Sequence, residues 1–169
     1  MNLHPRTRIE GDVAILTLTK GHEAIIDIED VALVGQYAWC AGVKPHGVYA
    51  VRQARDSDGK KRTVRLHRAI MNAPENLYVD HINGNPLDNR RSNLRLATHA
   101  ENTRNQRRSR ANTSGFKGVH WHKGAAKWQA YISLDGKRRS LGYFQSPESA
   151  HEAYLRAAEE LHGEFARAA

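Results

Sequence analysis

The sequence predicts an α+β fold: a β-rich N-terminal unit, then a strand–loop–strand–helix core, then a three-stranded antiparallel sheet backed by one helix. Three observations predict it. The first 65 residues hold short β-rich runs punctuated by turn residues. A polar loop rich in Asn and Arg separates Val79-Asp80-His81 from Leu94-Arg95-Leu96-Ala97, and a helix-start pattern follows. Beyond residue 114 the apolar residues first alternate with period two and then recur at helical spacing.

In chain order, residues 1–11 are polar and expected to fray. Val13–Leu18 and Ala24–Ile28, split by Lys20-Gly21-His22-Glu23, read as a hairpin, and Glu29–Val34 as a short helix. Val48–Arg55 and Arg62–Leu66 flank Asp56-Ser57-Asp58-Gly59-Lys60, whose Asp-Gly predicts a second hairpin. No catalytic constellation stands out here. Asp27, Glu29 and Asp30 cluster, but no patterned His or Cys accompanies them. His67 lies in Leu66-His67-Arg68-Ala69-Ile70-Met71, read as a short buried helix. Its role is structural on this reading, with an auxiliary phosphate or metal contact as the alternative.

The organising stretch runs from Val79 to Asn102. Asp80 and His81 sit side by side, and the loop that follows carries Asn83-Gly84, Asn89 and Asn93. Thr98-x-x-Glu101 has the form of a capping box, which puts Asn102 on the first turns of a helix. The expected arrangement has Asp80 and His81 facing Asn102, with Asn105 on the same helix face. An imidazole that titrates near neutrality can take a proton from water. Carboxylate and carboxamide oxygens are hard ligands for Mg²⁺ or Mn²⁺. Each residue alone also has a plain reading: Asn83-Gly84 is a hairpin signal, Asn89 and Asn93 can satisfy loop backbone, and Asn102 can face solvent.

Residues 107–115 form a linker, charged at first and then small and turn-prone. Phe116–His122 and Lys127–Leu134 read as strands, with Asp135-Gly136 as the turn into a third strand, Lys137–Phe144. Ser146-Pro147 starts a helix whose stripe is Ala150, Ala153, Tyr154, Ala157 and Leu161, and Gly163 stops it. The domains expected are therefore 1–65, 66–106, the linker, and 116–166.

Charge is concentrated. Arg104 to Arg139 contains ten Lys and Arg and a single acid, Asp135, whereas the rest of the chain holds 16 basic and 17 acidic residues. The whole excess of +8 thus lies in one stretch that also carries Trp121, Trp128 and Tyr131. That is a footprint for a polyanion. The one cysteine, Cys40, excludes an intrachain disulfide or zinc ribbon and is expected to be a small buried residue. No apolar run or leader pattern suggests export or a membrane, so a soluble cytoplasmic protein is expected.

Leu66 to Gln106 resembles the ββα-metal fold of the HNH endonucleases, in particular the phage and intron-encoded homing branch, on Asp80-His81, Ser92-Asn93-Leu94-Arg95 and Thr98-x-x-Glu101-Asn102. The resemblance implies that His81 is the general base, that Asp80 and Asn102 hold one divalent ion, and that Asn93 braces the loop. Asn102 stands where the family name has its final His. The N-terminal unit is similar to the region preceding this motif in phage members; it would pack on the nuclease and touch DNA through Arg52, Arg55, Lys60, Lys61 and Arg62. Residues 114–165 resemble the AP2 DNA-binding domain, on Gly115-Phe116-Lys117-Gly118-Val119, Lys127-Trp128-x-Ala130-x-Ile132, Leu141-Gly142-x-Phe144 and Ala153-Tyr154. By position this implies a DNA-facing set of Lys117, His120, His122, Lys127, Tyr131, Ser133 and Arg138, and the basic tract adds Arg104, Arg107, Arg108 and Arg110.

The function expected is a Mg²⁺- or Mn²⁺-dependent DNA endonuclease targeted by its AP2-like segment. Its partner is double-stranded DNA, and a monomer is expected with a dimer left open. A phage or mobile element in a bacterial host is the implied setting. Two alternatives stay open: a non-catalytic DNA-binding regulator on a nuclease scaffold, and an RNA substrate.

Overall fold

The structure is a computed structural model that describes residues 3–104, 112–134 and 136–163. The chain divides into two compact units, Met1–Thr98 and His99–Ala169.

The first unit begins with a three-stranded antiparallel sheet in the order β1-β2-β3, formed by Thr7–Glu10, Val13–Thr17 and Glu23–Asp27. β1 replaces the frayed segment expected for residues 1–11. It pairs with β2 from Thr7↔Leu16 to Glu10↔Val13, and Gly11 turns the chain between them at φ 63°. Composition hid it because it is an edge strand with exposed side chains, held by backbone bonds and by Arg8, which bridges Glu10 and Glu23. A short helix follows, α1 (Val31–Val34).

The second sheet, β4-β5-β6, comprises Cys40–Lys44, Gly47–Arg55 and Lys61–Arg65. Strand β4 was not expected, and it corrects the reading of Cys40. The thiol is exposed, because alternation along β4 sends Ala41 into the core and Cys40 to the other face. α2 (Leu66–Ile70) continues from β6 and buries Leu66, His67 and Ile70. The unit closes with β7 (Tyr78–His81) paired to β8 (Leu94–Ala97).

These pieces share one core. Ala14, Leu16, Ala24, Ile26, Val34, Trp39, Ala50, Leu66, Ile70, Val79 and Leu94 form a single buried cluster. The strands around the Asp80-His81 pair are thus anchored by residues drawn from both preceding sheets. Trp39 fixes the middle of the core, donating its indole N–H to Val34 O at 3.0 Å.

The second unit contains α3 (His99–Arg104) and the sheet β11-β10-β9, built from Lys137–Phe144, Lys127–Leu134 and Val119–His122. β10 and β11 have the bounds expected, although Asp135 of their turn lies outside the described residues. β9 starts at Val119 rather than Phe116. Ser114 Oγ and Asn112 Nδ2 bond the Phe116 carbonyl, and Gly118 takes φ 73°. A Cβ at Gly118 would overlap the Tyr154 ring, so both its backbone angle and its space require glycine. α4 (Pro147–His162) is capped by Ser146, whose Oγ accepts from Ser149 N at 3.1 Å, and Gly163 ends it at φ 51°. Its Ala150, Tyr154 and Ala158 bury against Val119, Ala130 and Ile132 of the sheet.

Candidate functional site

Asp80 and His81 are buried although they end a strand. In the β7–β8 ladder Asp80 lies opposite Arg95, and His81 opposite Leu94. Arg95 places Nε at 2.9 Å and Nη2 at 2.8 Å from one carboxylate oxygen, Asp80 Oδ2. Both side chains are nearly out of solvent, at 10% and 7% exposure, so the pair is a buried one.

The loop from Ile82 to Asn93 is held by its own polar side chains. Gly84, at φ 67°, donates its N–H to His81 O, and Asn85 N donates to Asn83 Oδ1 at 2.8 Å. Asn93 spans the loop: its Oδ1 accepts from Asn83 N at 2.9 Å and its Nδ2 donates to Asp88 O at 2.8 Å. Asp88 accepts from Asn83 Nδ2 and from both Arg90 Nε and Nη2. Its carboxyl sits below the ordinary range, chiefly through the Arg90 hydrogen bond.

The loop is also stitched to the N-terminal sheet. Ile25 N donates to Leu87 O and Asn89 N to Ile25 O, both at 2.8 Å. Arg91 N donates to Asp27 Oδ2 at 2.7 Å, and its guanidinium pairs with buried Asp30 while also bonding Ile70 O. Two of the three clustered acids at residues 27–30 therefore tie down the loop.

The His81 ring is walled on several sides. Its Nε2 lies 3.5 Å from Oδ1 of Asn89, a residue with 0% exposure. The His67 ring meets it edge-to-face at 5.1 Å between centroids, and Tyr49 of β5 approaches both, at 6.4 Å from His81 and 5.9 Å from His67. Burial pushes the His81 imidazole below its usual pKa, against the Asn89 hydrogen bond and the nearby Asp80 and Asp88 charges. His67 is pushed down to about 3, mainly by burial and then by His81, Arg65 and Arg68, and its Nδ1 is buried without a hydrogen-bond partner. A buried imidazole next to a carboxylate, at the end of a paired strand, can serve as a neutral proton acceptor.

Asn93 bonds across the loop, to Asn83 N and Asp88 O, and the residue that meets the His81 ring is Asn89. Sequence alone reads Asn89 as loop polarity and assigns Tyr49 and Arg95 no role. Asn102 lies on α3, in the second unit. Among the described residues, no three His, Cys, Asp or Glu side chains gather as a metal site.

In the second unit, the β10 register sorts the remaining candidates. Ala130 and Ile132 face inward and are buried. Lys127, Tyr131 and Ser133 alternate with them, and His122, His120 and Arg138 are cross-strand partners of Lys127, Gln129 and Ser133. His120 packs on Tyr131 at 5.3 Å, and Arg138 lies over the same ring at 4.8 Å. Gln129, Ser140 and Tyr143 share this face and were not singled out: Gln129 bonds Ser140 at 2.9 Å, and the His122 ring meets Tyr143 at 5.1 Å. Strand parity is the signal that could have found them. Lys117 precedes β9 in the turn. Arg107, Arg108, Arg110, Asn105 and the Arg104 side chain lie outside the described residues.

The model of an HNH endonuclease family matches residues 72–104, which span β7, the loop, β8 and α3. Protein 3.8 of Escherichia phage T7 is 40% identical over 94 residues, covering 56% of this chain and 77% of that protein. An uncharacterized HNH endonuclease, L560 of Acanthamoeba polyphaga mimivirus, is 32% identical over 154 residues, covering 87% of this chain and 74% of its own. The chain belongs to the HNH endonuclease family. Among solved structures, one of DNA binding and cleavage by the HNH homing endonuclease I-HmuI is similar at 20% identity and a TM-score of 0.36, over 90% of this chain and 86% of that one.

Proposed function

We propose that the chain is a metal-dependent endonuclease that hydrolyses phosphodiester bonds of double-stranded DNA. The observation that carries this reading is the buried His81 imidazole at the end of β7, next to Asp80 and followed by a loop that its own polar groups and the N-terminal sheet hold in place. His81 takes a proton from the attacking water as the water oxygen bonds to phosphorus and the bond to the 3′ oxygen breaks. Asn93 keeps the loop in shape for that step.

Asp80 and Asn102 would hold one Mg²⁺ or Mn²⁺. The donor set suits a hard cation, since both offer oxygen, although Arg95 already engages Asp80 Oδ2. The ion would polarise the scissile phosphate and stabilise the leaving oxygen. With two protein ligands, its affinity without DNA is low.

The second unit targets the enzyme in the manner of an AP2 domain, with His120, His122, Lys127, Tyr131, Ser133 and Arg138 of the outer sheet face on DNA. Lys117 and the arginines 104, 107, 108 and 110 contact phosphates. The composition of that face supports this: aromatic rings and imidazoles with cations, and no acid among the residues named. With one site per chain, a monomer would nick and an assembled pair would cut both strands, in the cytoplasm of a bacterial host carrying a phage or mobile element.

The Asp80–Arg95 pair favours one other reading, a DNA-binding regulator whose carboxylate is permanently occupied. Supercoiled plasmid incubated with Mg²⁺ or Mn²⁺ separates the two. Conversion to open circles, abolished by chelation, supports the enzyme. Plasmid that is bound but intact with either metal supports the regulator.

A further inference from the structure

Gln129 sits at the centre of the outer sheet face of the second unit. β10 lies between β9 and β11, and Gln129 is paired with His120 on one side and Tyr143 on the other. Its neighbours along β10, Trp128 and Ala130, belong to the core on the opposite face. Both flanking rings are held in turn: His120 meets the Tyr131 ring at 5.3 Å, and Tyr143 meets the His122 ring at 5.1 Å. The three strands contain no Asp or Glu, so the face suits a polyanion, and Gln129 is their one carboxamide. Its Nε2 donates to Ser140 Oγ at 2.9 Å, which ties the amide to β11. A carboxamide carries two N–H donors and an oxygen with two lone pairs. The bond to Ser140 uses one of these, whichever end of the amide makes it, so an adjacent donor and acceptor remain for a ligand.

We propose that Gln129 is a base-reading residue of the second unit, whose carboxamide pairs with the major-groove edge of an adenine: Oε1 accepts from N6–H and Nε2 donates to N7. This rests on the reading that the sheet of the second unit lies on duplex DNA, and deepens it by naming the base and the residue. A cation on the same face finds a phosphate on any sequence, so it positions the protein without choosing a site. Adenine presents N7 as acceptor and N6 as donor in the major groove, a pair that a carboxamide meets with two bonds. The bond to Ser140 holds the side chain in place before DNA arrives, which lowers the ordering cost of binding.

The test uses the full chain, with no divalent metal added so that the DNA stays intact. Duplexes with a randomised stretch are bound, recovered and sequenced with wild type, Gln129→Ala and Gln129→Glu. Fluorescence anisotropy then gives Kd on the selected duplex, with each adenine in turn replaced by 7-deazaadenine, which keeps its base pairing and lacks the N7 acceptor. The wild type is expected to select a site with a fixed A·T pair and to bind about 10-fold more weakly when that adenine is the deaza form. Gln129→Ala should show no preference at that pair and bind the two duplexes equally. It should keep the wild-type slope of log K against log salt, since no phosphate contact is lost. Gln129→Glu, which only accepts, should lose the adenine as well. A wild type indifferent to 7-deazaadenine at every position, or either variant with the wild-type preference throughout, overturns the assignment and leaves the sheet on DNA. A wild type that binds no duplex, or binds all sequences alike, removes the targeting reading and this assignment together. If circular dichroism shows Gln129→Ala unfolded, Gln129→Glu decides on the same duplexes.

Discussion

Asp80 and Arg95 face each other across the β7–β8 ladder, and both Arg95 nitrogens close on a single oxygen of the Asp80 carboxylate. The pair joins a candidate metal ligand to the strand that leads into α3. Removing the cation takes both guanidinium bonds from a buried carboxylate. Arg95→Ala should therefore lower the unfolding free energy by about 3 kcal/mol. Arg95→Lys should restore only part of it, because the ammonium cannot reproduce the guanidinium fork. Urea unfolding of the two variants measures both effects.

His67 gives the fold a pH dependence of known sign. Its pKa falls from 6.5 to about 3 on folding. Between those values the unfolded chain binds a proton that the folded chain refuses, so stability drops as pH falls below 6.5 and contributes no slope above it. The steepest contribution is about 1.4 kcal/mol per pH unit. His67→Phe keeps a ring in the wall and removes the titration. Its unfolding midpoint should change less between pH 6.5 and 4 than that of the wild type, in parallel urea melts.

The sheet of the second unit predicts a division of labour. Arg138, over the Tyr131 ring, is a cation on the outer face, and Tyr143 is an exposed ring beside His122. Arg138→Ala should weaken duplex binding at all sequences and reduce the slope of log K against log salt by about one. Tyr143→Ala should weaken binding with little change in that slope. Fluorescence anisotropy across a salt series distinguishes them, and circular dichroism should report an intact fold in both.

Particular elements show what the sequence reveals and what it hides. β10, β11 and α4 are legible to the residue, because period-two alternation, an Asp-Gly turn and a Ser-Pro helix start are local signals. β1 is not, since an edge strand is stabilised by backbone pairing that a polar sequence does not announce. Cys40 misleads because its apolar neighbour Trp39 is buried while the thiol points out of β4. Asp80 and His81 are legible as a pair. Asn89 is not, because its burial comes from a bond to Ile25, more than 60 residues earlier in the chain. Reading the loop by itself assigns every Asn to turn geometry, and only the stitch to β3 separates the one that meets the imidazole from those that fold the loop.

Strand cleavage, on this reading, depends on the His81 imidazole as the proton acceptor. The decisive measurement is single-turnover nicking by His81→Ala, at a DNA concentration where gel shift shows wild type and variant equally bound. The expected rate is at least about 100-fold below wild type with unchanged binding. A His81→Ala protein that nicks plasmid as fast as wild type would contradict the role assigned to His81.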